Sequence, residues 1–194
     1  MKLTAVAAFG AALFLQGTGW RSSEPSSLQL TSDRPGCLTV RNVGAAGVDL
    51  WRERARPITG TYTVKATLRK LDGRRLEGYG LIFGGRNLGT DSARYSYVMV
   101  RGDGKLLVKK REGAATPTVR DWTAHSAIRP DDGHQRAEND LEVRVSPQEV
   151  VIRVNGVEVA RVPSSELFVE GLTGVRISHH LAVEVIGFDE VGRC

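Results

Sequence analysis

Apolar and polar residues alternate with a period of two along much of the chain, as in β-strands that bury one face and expose the other. The clearest run is Thr61–Lys70, whose apolar face carries Tyr62, Val64, Ala66 and Leu68. A second run is Tyr95–Arg101, in which one face carries Tyr95, Tyr97, Met99 and Arg101. The first pattern predicts a strand with one face for the core and one for water, and the second predicts a strand with two distinct faces.

Turn-forming residues stand between these runs, where the chain has to reverse direction. Gly102-Asp103-Gly104 joins the strand at Tyr95–Arg101 to a third run, Lys105–Arg111, and Asn155-Gly156 follows an alternating run that ends at Val154. Sequences of this kind predict β-hairpins. The whole chain reads as roughly twelve short strands with no amphipathic helix and no fixed repeat, which predicts an all-β antiparallel sandwich or barrel. One short helical turn is expected at Pro163–Phe168.

The first nineteen residues have the character of a signal peptide. Lys2 precedes an apolar stretch, Leu3–Leu15, that is too short to span a bilayer, and Gly17-Thr18-Gly19 provides a small-residue cleavage site. We therefore assign residues 1–19 to a signal peptide, 20–27 to a flexible lead-in and 28–194 to the sandwich domain. An uncleaved anchor is the alternative. The mature protein is expected to be exported, in the periplasm, the cell envelope or the extracellular space, with no transmembrane span.

The charge of the chain is mildly basic and dispersed. Its 194 residues carry a formal net charge of +5, and the only basic runs are Arg74-Arg75 and Lys109-Lys110-Arg111. A nucleic-acid-binding protein more often has a basic stripe interleaved with aromatic residues. The distribution therefore predicts a solvated basic surface and no nucleic-acid partner.

Several strand and turn motifs, in order, resemble those of the concanavalin A-like lectin/glucanase superfamily, in particular laminin G-like domains and the bacterial 3-keto-disaccharide hydrolase domain. The resemblance covers roughly Thr59 to the C terminus. It rests on Gly80-Leu81-Ile82-Phe83, Tyr95–Val100 with its hairpin, Trp122, Asn139–Val143, Val154-Asn155-Gly156-Val157, Gly174–Ile177 and Phe188-Asp189. The resemblance implies a two-sheet antiparallel β-sandwich of the jelly-roll type, with sugar bound on a concave sheet or at a rim.

The catalytic motifs of related enzymes are missing from the sequence. Retaining glucanases with this fold carry Glu-x-Asp-x-x-Glu, whose two carboxylates flank the glycosidic bond, whereas Asp140 and Glu142 stand in the wrong order. Gly-x-Ser-x-Gly is also absent, and the four histidines lack the spacing of a zinc site. The sequence therefore leans against an enzyme and predicts no catalytic residues.

Aromatic and basic residues of the central strands are the candidate ligand-binding residues. Tyr95, Tyr97 and Trp122 could stack on the C–H faces of sugar rings, and Arg101, Lys109 and Arg111 could donate hydrogen bonds to hydroxyl or carboxylate groups. The competing interpretation places the aromatic residues in the core and the cations on a solvated outer face.

The two cysteines, Cys37 and Cys194, are expected to form a disulfide. An oxidising compartment lets a disulfide persist, and in sandwiches of the type that the sequence resembles the first and last strands tend to lie side by side. No cofactor is predicted. A structural calcium ion is compatible with Asp91, Asp131 and Asp132 in loops, although their spacing does not indicate one.

Three functions fit these observations. The first is an exported, non-catalytic carbohydrate-binding or adhesion module whose partner is a glycan or cell-envelope polysaccharide. The second is a glycoside-processing enzyme of the 3-keto-disaccharide hydrolase kind. The third is a structural protein of the cell envelope without a small ligand.

Overall fold

The protein is a sandwich of two antiparallel sheets with seven strands each. The computed structural model describes residues 19–32, 35–131 and 136–188. The predicted all-β, two-sheet fold is therefore confirmed. The predicted signal peptide lies outside the described residues except for Gly19, so the signal peptide and its cleavage stay predictions.

Sheet A contains most of the central strands that the alternating pattern predicted. In spatial order its strands are β1 (Trp20–Ser22), β4 (Val48–Arg52), β13 (Leu172–Ile177), β6 (Gly78–Arg86), β7 (Arg94–Arg101), β8 (Lys105–Glu112) and β9 (Thr118–Ala124).

Sheet B packs against sheet A and combines strands from both halves of the chain. In spatial order its strands are β12 (Val157–Pro163), β11 (Glu149–Val154), β10 (Glu138–Val145), β5 (Tyr62–Gly73), β14 (Leu181–Phe188), β3 (Leu38–Asn42) and β2 (Leu28–Thr31). Two 3₁₀ turns, Pro25–Ser27 and Ser164–Glu166, accompany the strands. The second confirms the short helical turn expected near Pro163.

Both predicted hairpins form. Arg101 pairs with Lys105 across the three-residue loop, and Val154 pairs with Val157 across Asn155-Gly156. Asn155 and Gly156 have φ angles of 51° and 81°, the left-handed conformation that a two-residue hairpin of this type requires. The local turn chemistry therefore fixes these two strand pairings.

The core lies between the sheets and is built from the inward residue of each alternating pair. Val64, Leu68, Leu81, Val98 and Val143 are fully buried there. Tyr62–Gly73 continues as one strand through Asp72-Gly73, although Asp-Gly is a common turn sequence, because Ala182 and Leu181 of β14 pair with these two residues. Pairing with a distant strand thus outweighs the local turn preference.

The segment 20–27 differs from the flexible lead-in that its composition predicted. Trp20 begins β1, which pairs with β4, and its ring is only 4 % exposed. It packs against Phe188 with the ring centroids 5.2 Å apart. Burial of a large aromatic ring outweighs the polar character of the residues that follow, so this segment is part of the sandwich.

The predicted disulfide cannot be placed, because Cys194 lies outside the described residues. Cys37 is buried just before β3 and lines a small cleft with Val185 and Phe188 of β14. Cys194 is six positions after Phe188, a length of chain that can span about 20 Å. The Cys37–Cys194 pairing stays a prediction, and peptide mapping of the non-reduced, alkylated protein tests it. In the described part of the chain, no helix has the length and apolar character needed to cross a membrane.

A buried amide network anchors the segment after β9. Asn139 is fully buried, accepts hydrogen bonds from the Arg129 backbone N–H (2.9 Å) and the Asn155 side chain (2.8 Å), and donates one to the Arg129 carbonyl (3.1 Å). The Asp131 backbone N–H donates to the Gly102 carbonyl at 2.9 Å. The segment is thereby held against the β7–β8 hairpin at one end of sheet A.

Candidate functional site

The face of sheet A that points away from sheet B carries a second apolar cluster, separate from the core. We call it the outer face of sheet A. Alternation along β7 and β8 directs Tyr95, Tyr97, Met99 and Leu107 to this side. They pack with Ile82 and Ala93, and with the partly buried Leu88 and Trp122. A sheet face that only contacts water would not require such a cluster.

All six residues that the sequence singled out come together on this face. Tyr95 stands opposite Arg111, Tyr97 opposite Lys109, and Arg101 opposite Lys105. Trp122 on β9 packs into the same cluster. The structure therefore places these side chains side by side, while their role in binding stays a prediction.

Tyr95 is buried within the outer face of sheet A and fixes the positions of neighbouring side chains. Its side chain is completely buried, and its hydroxyl donates a 2.6 Å hydrogen bond to Asp49 Oδ2. Arg176 Nη1 donates to Asp49 Oδ1 and, at 2.7 Å, to the Tyr95 hydroxyl. Because its ring cannot reach solvent, Tyr95 holds other groups in place and offers no stacking surface of its own.

The Asp49–Arg176 ion pair is desolvated, and the neighbouring pKa values reflect this. Burial, together with the Asp49 carboxylate, raises the pKa of the Tyr95 phenol well above its ordinary value. Burial alone would lower the pKa of Arg176, but the Asp49 carboxylate and the two tyrosines outweigh it and raise that pKa. Tyr95 and Arg176 thus both stay protonated near neutral pH, which makes them a rigid support and unsuited to proton transfer.

Tyr97 lies at the centre of the face and offers a free hydrogen-bonding group. Its side chain is only 4 % exposed, and Arg176 stacks over its ring at 5.0 Å from the centroid. Among the described residues its hydroxyl has no hydrogen-bond partner, and the oxygen is not sealed from solvent. Burial raises the pKa of this phenol, an effect that Arg176 partly offsets. The hydroxyl therefore stays protonated and can donate to or accept from a ligand.

The Trp122 end of the face has a stacked cation. The Arg101 guanidinium lies 4.4 Å from the Trp122 ring centroid and is held by two hydrogen bonds to Asp103, of 2.7 and 2.9 Å. Burial alone would raise the pKa of Asp103, but the hydrogen bonds and charge of Arg101 outweigh it and lower that pKa. Arg101 is therefore positioned by the hairpin loop and covers part of the Trp122 ring.

Lys109 and Arg111 border Tyr97 and Tyr95 on the β8 side. Arg111 Nε donates to the Gly113 carbonyl at 2.9 Å. Within the described ranges neither cation forms an ion pair, and Lys109 forms no side-chain hydrogen bond. Arg111 also lies within hydrogen-bonding reach of the Tyr95 hydroxyl. The Lys109 ammonium group and the remaining N–H groups of Arg111 are thus available to a ligand.

Sequence reasoning missed the residues that stabilise this face from β4 and β13. Asp49 is the single carboxylate of β4 and Arg176 the single charge of β13, and their apolar neighbours in these strands are the signal that could have drawn attention to them. Gly80 lies between Arg176 and Met99 in the ladder, and a Cβ added to it would come within 1.9 Å of the Val98 carbonyl oxygen. The missing side chain lets the backbone of β7 approach β6 closely at this point.

A cleft lies at the rim of the sandwich. It has a volume of about 310 Å³ and is lined by Gly84, Arg86, Arg94 and Leu167–Glu170. Its aromatic residue, Phe168, is covered by the Arg94 guanidinium at 4.3 Å from the ring centroid. Because the ring already has a stacking partner, this cleft is less suited to a sugar than the outer face.

The structure gives no support for the calcium site that loop aspartates could have formed. The Asp131 carboxylate accepts a hydrogen bond from the buried Lys70 ammonium group, and Asp132 lies outside the described residues. In the described part of the chain, no three acidic, histidine or cysteine side chains are grouped as metal ligands would be.

Comparison with known proteins identifies the fold. No sequence-family profile matches the chain, and no curated protein matches it. Among solved structures, the carbohydrate-binding module CBM66 from Bacillus subtilis has a TM-score of 0.67 at 14 % identity, covering 88 % of this chain and 94 % of that one. A Bacillus subtilis protein of unknown function with a galectin-like fold has a TM-score of 0.64 at 14 % identity, covering 87 % of each chain.

A third neighbour is the exoplasmic/lumenal domain of VIP36 in a Ca²⁺- and mannose-bound form. It has a TM-score of 0.63 at 8 % identity and covers 88 % of this chain and 81 % of that one. The fold is that of the concanavalin A-like and galectin-like jelly rolls. At these identities the likeness establishes the fold and leaves the function to the residues on its surface.

Proposed function

We propose that this protein is an exported, non-catalytic carbohydrate-binding module that holds a glycan on the outer face of sheet A. The observation that carries the proposal is the free Tyr97 hydroxyl, set in an apolar cluster between the cations Arg176 and Lys109. Ligand sites combine apolar surface with a few fixed polar groups in this way. The neighbours of the fold include a carbohydrate-binding module and a mannose-bound lumenal domain, which supports the same proposal.

The chemistry of the face favours binding over catalysis. A glycosidase needs two carboxyl groups that face the glycosidic bond, one of which can transfer a proton. Asp49 accepts hydrogen bonds on both oxygens from Arg176 and Tyr95, and Asp103 is held by Arg101. Both carboxylates are therefore committed to positioning side chains. Export is proposed on the sequence of residues 1–19 alone.

A glycan array combined with a hydrolysis screen on 3-keto-glucosides tests this function. The full mature protein is expected to bind a subset of glycans without turnover. Tyr97→Phe is expected to weaken that binding, whereas Lys65→Gln on the outer face of sheet B is a matched surface control that should leave it unchanged. Turnover would favour the enzyme hypothesis, and binding that is insensitive to Tyr97→Phe would place the site elsewhere. An array without any signal would favour the structural protein.

A further inference from the structure

The outer face of sheet A carries more positive charge than its own carboxylates neutralise. From β4 to β8, its described charged residues are five cations, Arg176, Arg101, Lys105, Lys109 and Arg111, and two carboxylates, Asp49 and Asp103. Asp49 binds Arg176, and Asp103 binds Arg101 and lies 3.7 Å from Lys105. In the part of the chain that the structure describes, the positive charge of Lys109 and Arg111 has no carboxylate partner.

The opposite surface of the sandwich shows that this excess is particular to one face. On the outer face of sheet B, Lys65 binds Glu142, Arg69 binds Glu138 and Glu184, and Arg161 binds Glu149 and Glu158. These three cations are thus matched by carboxylates of the same sheet. Within the described ranges no carboxylate pairs with Lys109 or Arg111, although β7 and β9 flank their strand on both sides.

Lys109 and Arg111, which form no ion pair within the described ranges, are placed to bind one ligand together. They are two residues apart on β8, so their Cα atoms are about 6.8 Å apart on the same face. Lys109 stands opposite Tyr97, and Arg111 stands opposite Tyr95. A sugar ring that accepts a hydrogen bond from the Tyr97 hydroxyl would therefore have both cations along its β8 side.

These contacts identify the chemical class of the ligand. A guanidinium binds carboxylate or sulfate oxygens with charge-assisted hydrogen bonds that are stronger than those to neutral hydroxyl groups. We propose, building on the carbohydrate-binding function above, that the ligand is an acidic glycan whose carboxylate or sulfate group binds Lys109 and Arg111. Carboxylate and sulfate share this chemistry, and the experiment has to separate them.

Titration calorimetry with matched polymers tests the proposal. Polygalacturonate and highly methyl-esterified pectin share one backbone and differ in free carboxylates, while chondroitin sulfate and dextran sulfate supply sulfate groups and dextran is the neutral reference. The mature protein is expected to bind at least one acidic polymer, with an affinity that falls as the salt concentration rises. Preference for polygalacturonate would identify a carboxylate ligand, and preference for the sulfated polymers a sulfate ligand.

Matched variants locate the binding. Lys109→Gln combined with Arg111→Gln should weaken binding of the acidic polymer by about tenfold or more. Arg41→Gln combined with Lys65→Gln removes the same charge from sheet B and should change it by less than about twofold. Equal losses in the two double variants would overturn the assignment to Lys109 and Arg111.

The acidic-glycan proposal and the carbohydrate-binding function on which it rests can be contradicted by different results. Equal binding of methyl-esterified pectin and polygalacturonate, lost in Tyr97→Phe, would keep the carbohydrate function and overturn the acidic ligand. Absence of binding to every glycan would overturn both. Duplex DNA that binds as tightly as the acidic glycan would also overturn the proposal, because a general attraction of polyanions would then explain the data.

Discussion

The outer faces of the two sheets differ in how they hold their charges. On sheet B, cations meet carboxylates of adjacent strands near the surface, as in Lys65–Glu142 at 2.6 Å and Arg69–Glu138 at 2.6 Å. On sheet A, the Arg176 and Arg101 guanidinium groups stack on Tyr97 and Trp122 over an apolar cluster, and the Asp49–Arg176 pair is buried.

This difference indicates that the outer faces of the two sheets have different roles. Exposed ion pairs contribute little to stability and keep a surface soluble. Burying an ion pair costs desolvation free energy, and such pairs are found where side chains are held in fixed positions. We therefore associate the outer face of sheet A with ligand binding and the outer face of sheet B with solvation.

The largest predicted difference between the two faces is in the free energy of unfolding when the aspartate partner of an arginine is removed. Asp49→Ala would leave the buried Arg176 without its carboxylate, and we expect the free energy of unfolding to fall by about 3–5 kcal/mol. Asp72→Ala removes the partner of Arg41 in an exposed pair and should lower it by less than about 1 kcal/mol. Urea denaturation of both variants measures these free energies. A similar loss of stability in the two variants would contradict a stabilising role of the Asp49–Arg176 ion pair.

A second contrast concerns two tyrosine hydroxyls. Tyr62 donates a 2.7 Å hydrogen bond to the Val169 carbonyl, whereas the Tyr97 hydroxyl has no partner among the described residues. Tyr62→Phe should therefore lower the free energy of unfolding by about 1 kcal/mol and leave glycan affinity unchanged. Tyr97→Phe should leave stability unchanged and weaken binding by about 3- to 10-fold. Denaturation and titration of both proteins check this, and destabilisation by Tyr97→Phe would show a structural role for that hydroxyl.

Acid should act on the carboxylates that hold the outer face of sheet B. Burial alone would raise the pKa of Glu142, but the hydrogen bonds and charges of Lys65 and Arg144 outweigh it, so its folded-state pKa lies below the ordinary value of 4.5. Its stabilising contribution is therefore complete above pH 4.5 and is lost as pH falls through the lower, folded-state pKa. Melting temperatures measured across this range should fall less steeply in Glu142→Gln. An unchanged slope would show that the ion pairs of Glu142 do not affect stability.

The smallest effect is expected from a single exposed cation of sheet B. Lys65 is 60 % exposed, and its ion pair with Glu142 is shared with Arg144. Lys65→Gln should change the free energy of unfolding by about 0.2–1 kcal/mol at low salt, and by less at high salt because screening weakens the pair. Thermal melts at two ionic strengths measure this, and a large salt-independent loss would place Lys65 in a structural role that the sandwich does not indicate.

The sequence predicted the parts of the fold that are determined locally. Alternation in Thr61–Lys70 predicted which side chains face the core, and alternation in Tyr95–Arg101 predicted a strand with two distinct faces. Gly102-Asp103-Gly104 and Asn155-Gly156 predicted hairpins between neighbouring strands. These features depend on residues close in sequence, so a pattern along the chain is enough to identify them.

The support of the site could not be predicted because it depends on contacts between distant strands. Asp49 and Arg176 are 127 positions apart and meet only because β4 and β13 pair. The complete burial of Tyr95 likewise depends on Ala93 and Leu88 in the segment before β7. The same applies to Trp20, whose burial requires the end of β14. Strand order in a sandwich is set by global packing, which no local pattern specifies.

Nuclear magnetic resonance mapping tests the central claim most directly, because every backbone amide of both sheets is observed at once. The ¹⁵N-labelled mature protein is titrated with the acidic oligosaccharide that binds most tightly. The account predicts chemical-shift changes concentrated on β6, β7, β8 and β13, centred on Tyr97, Lys109 and Arg111, with β5, β10 and β11 unaffected. Shifts concentrated on β5, β10 and β11, or at the rim around Phe168, would contradict it.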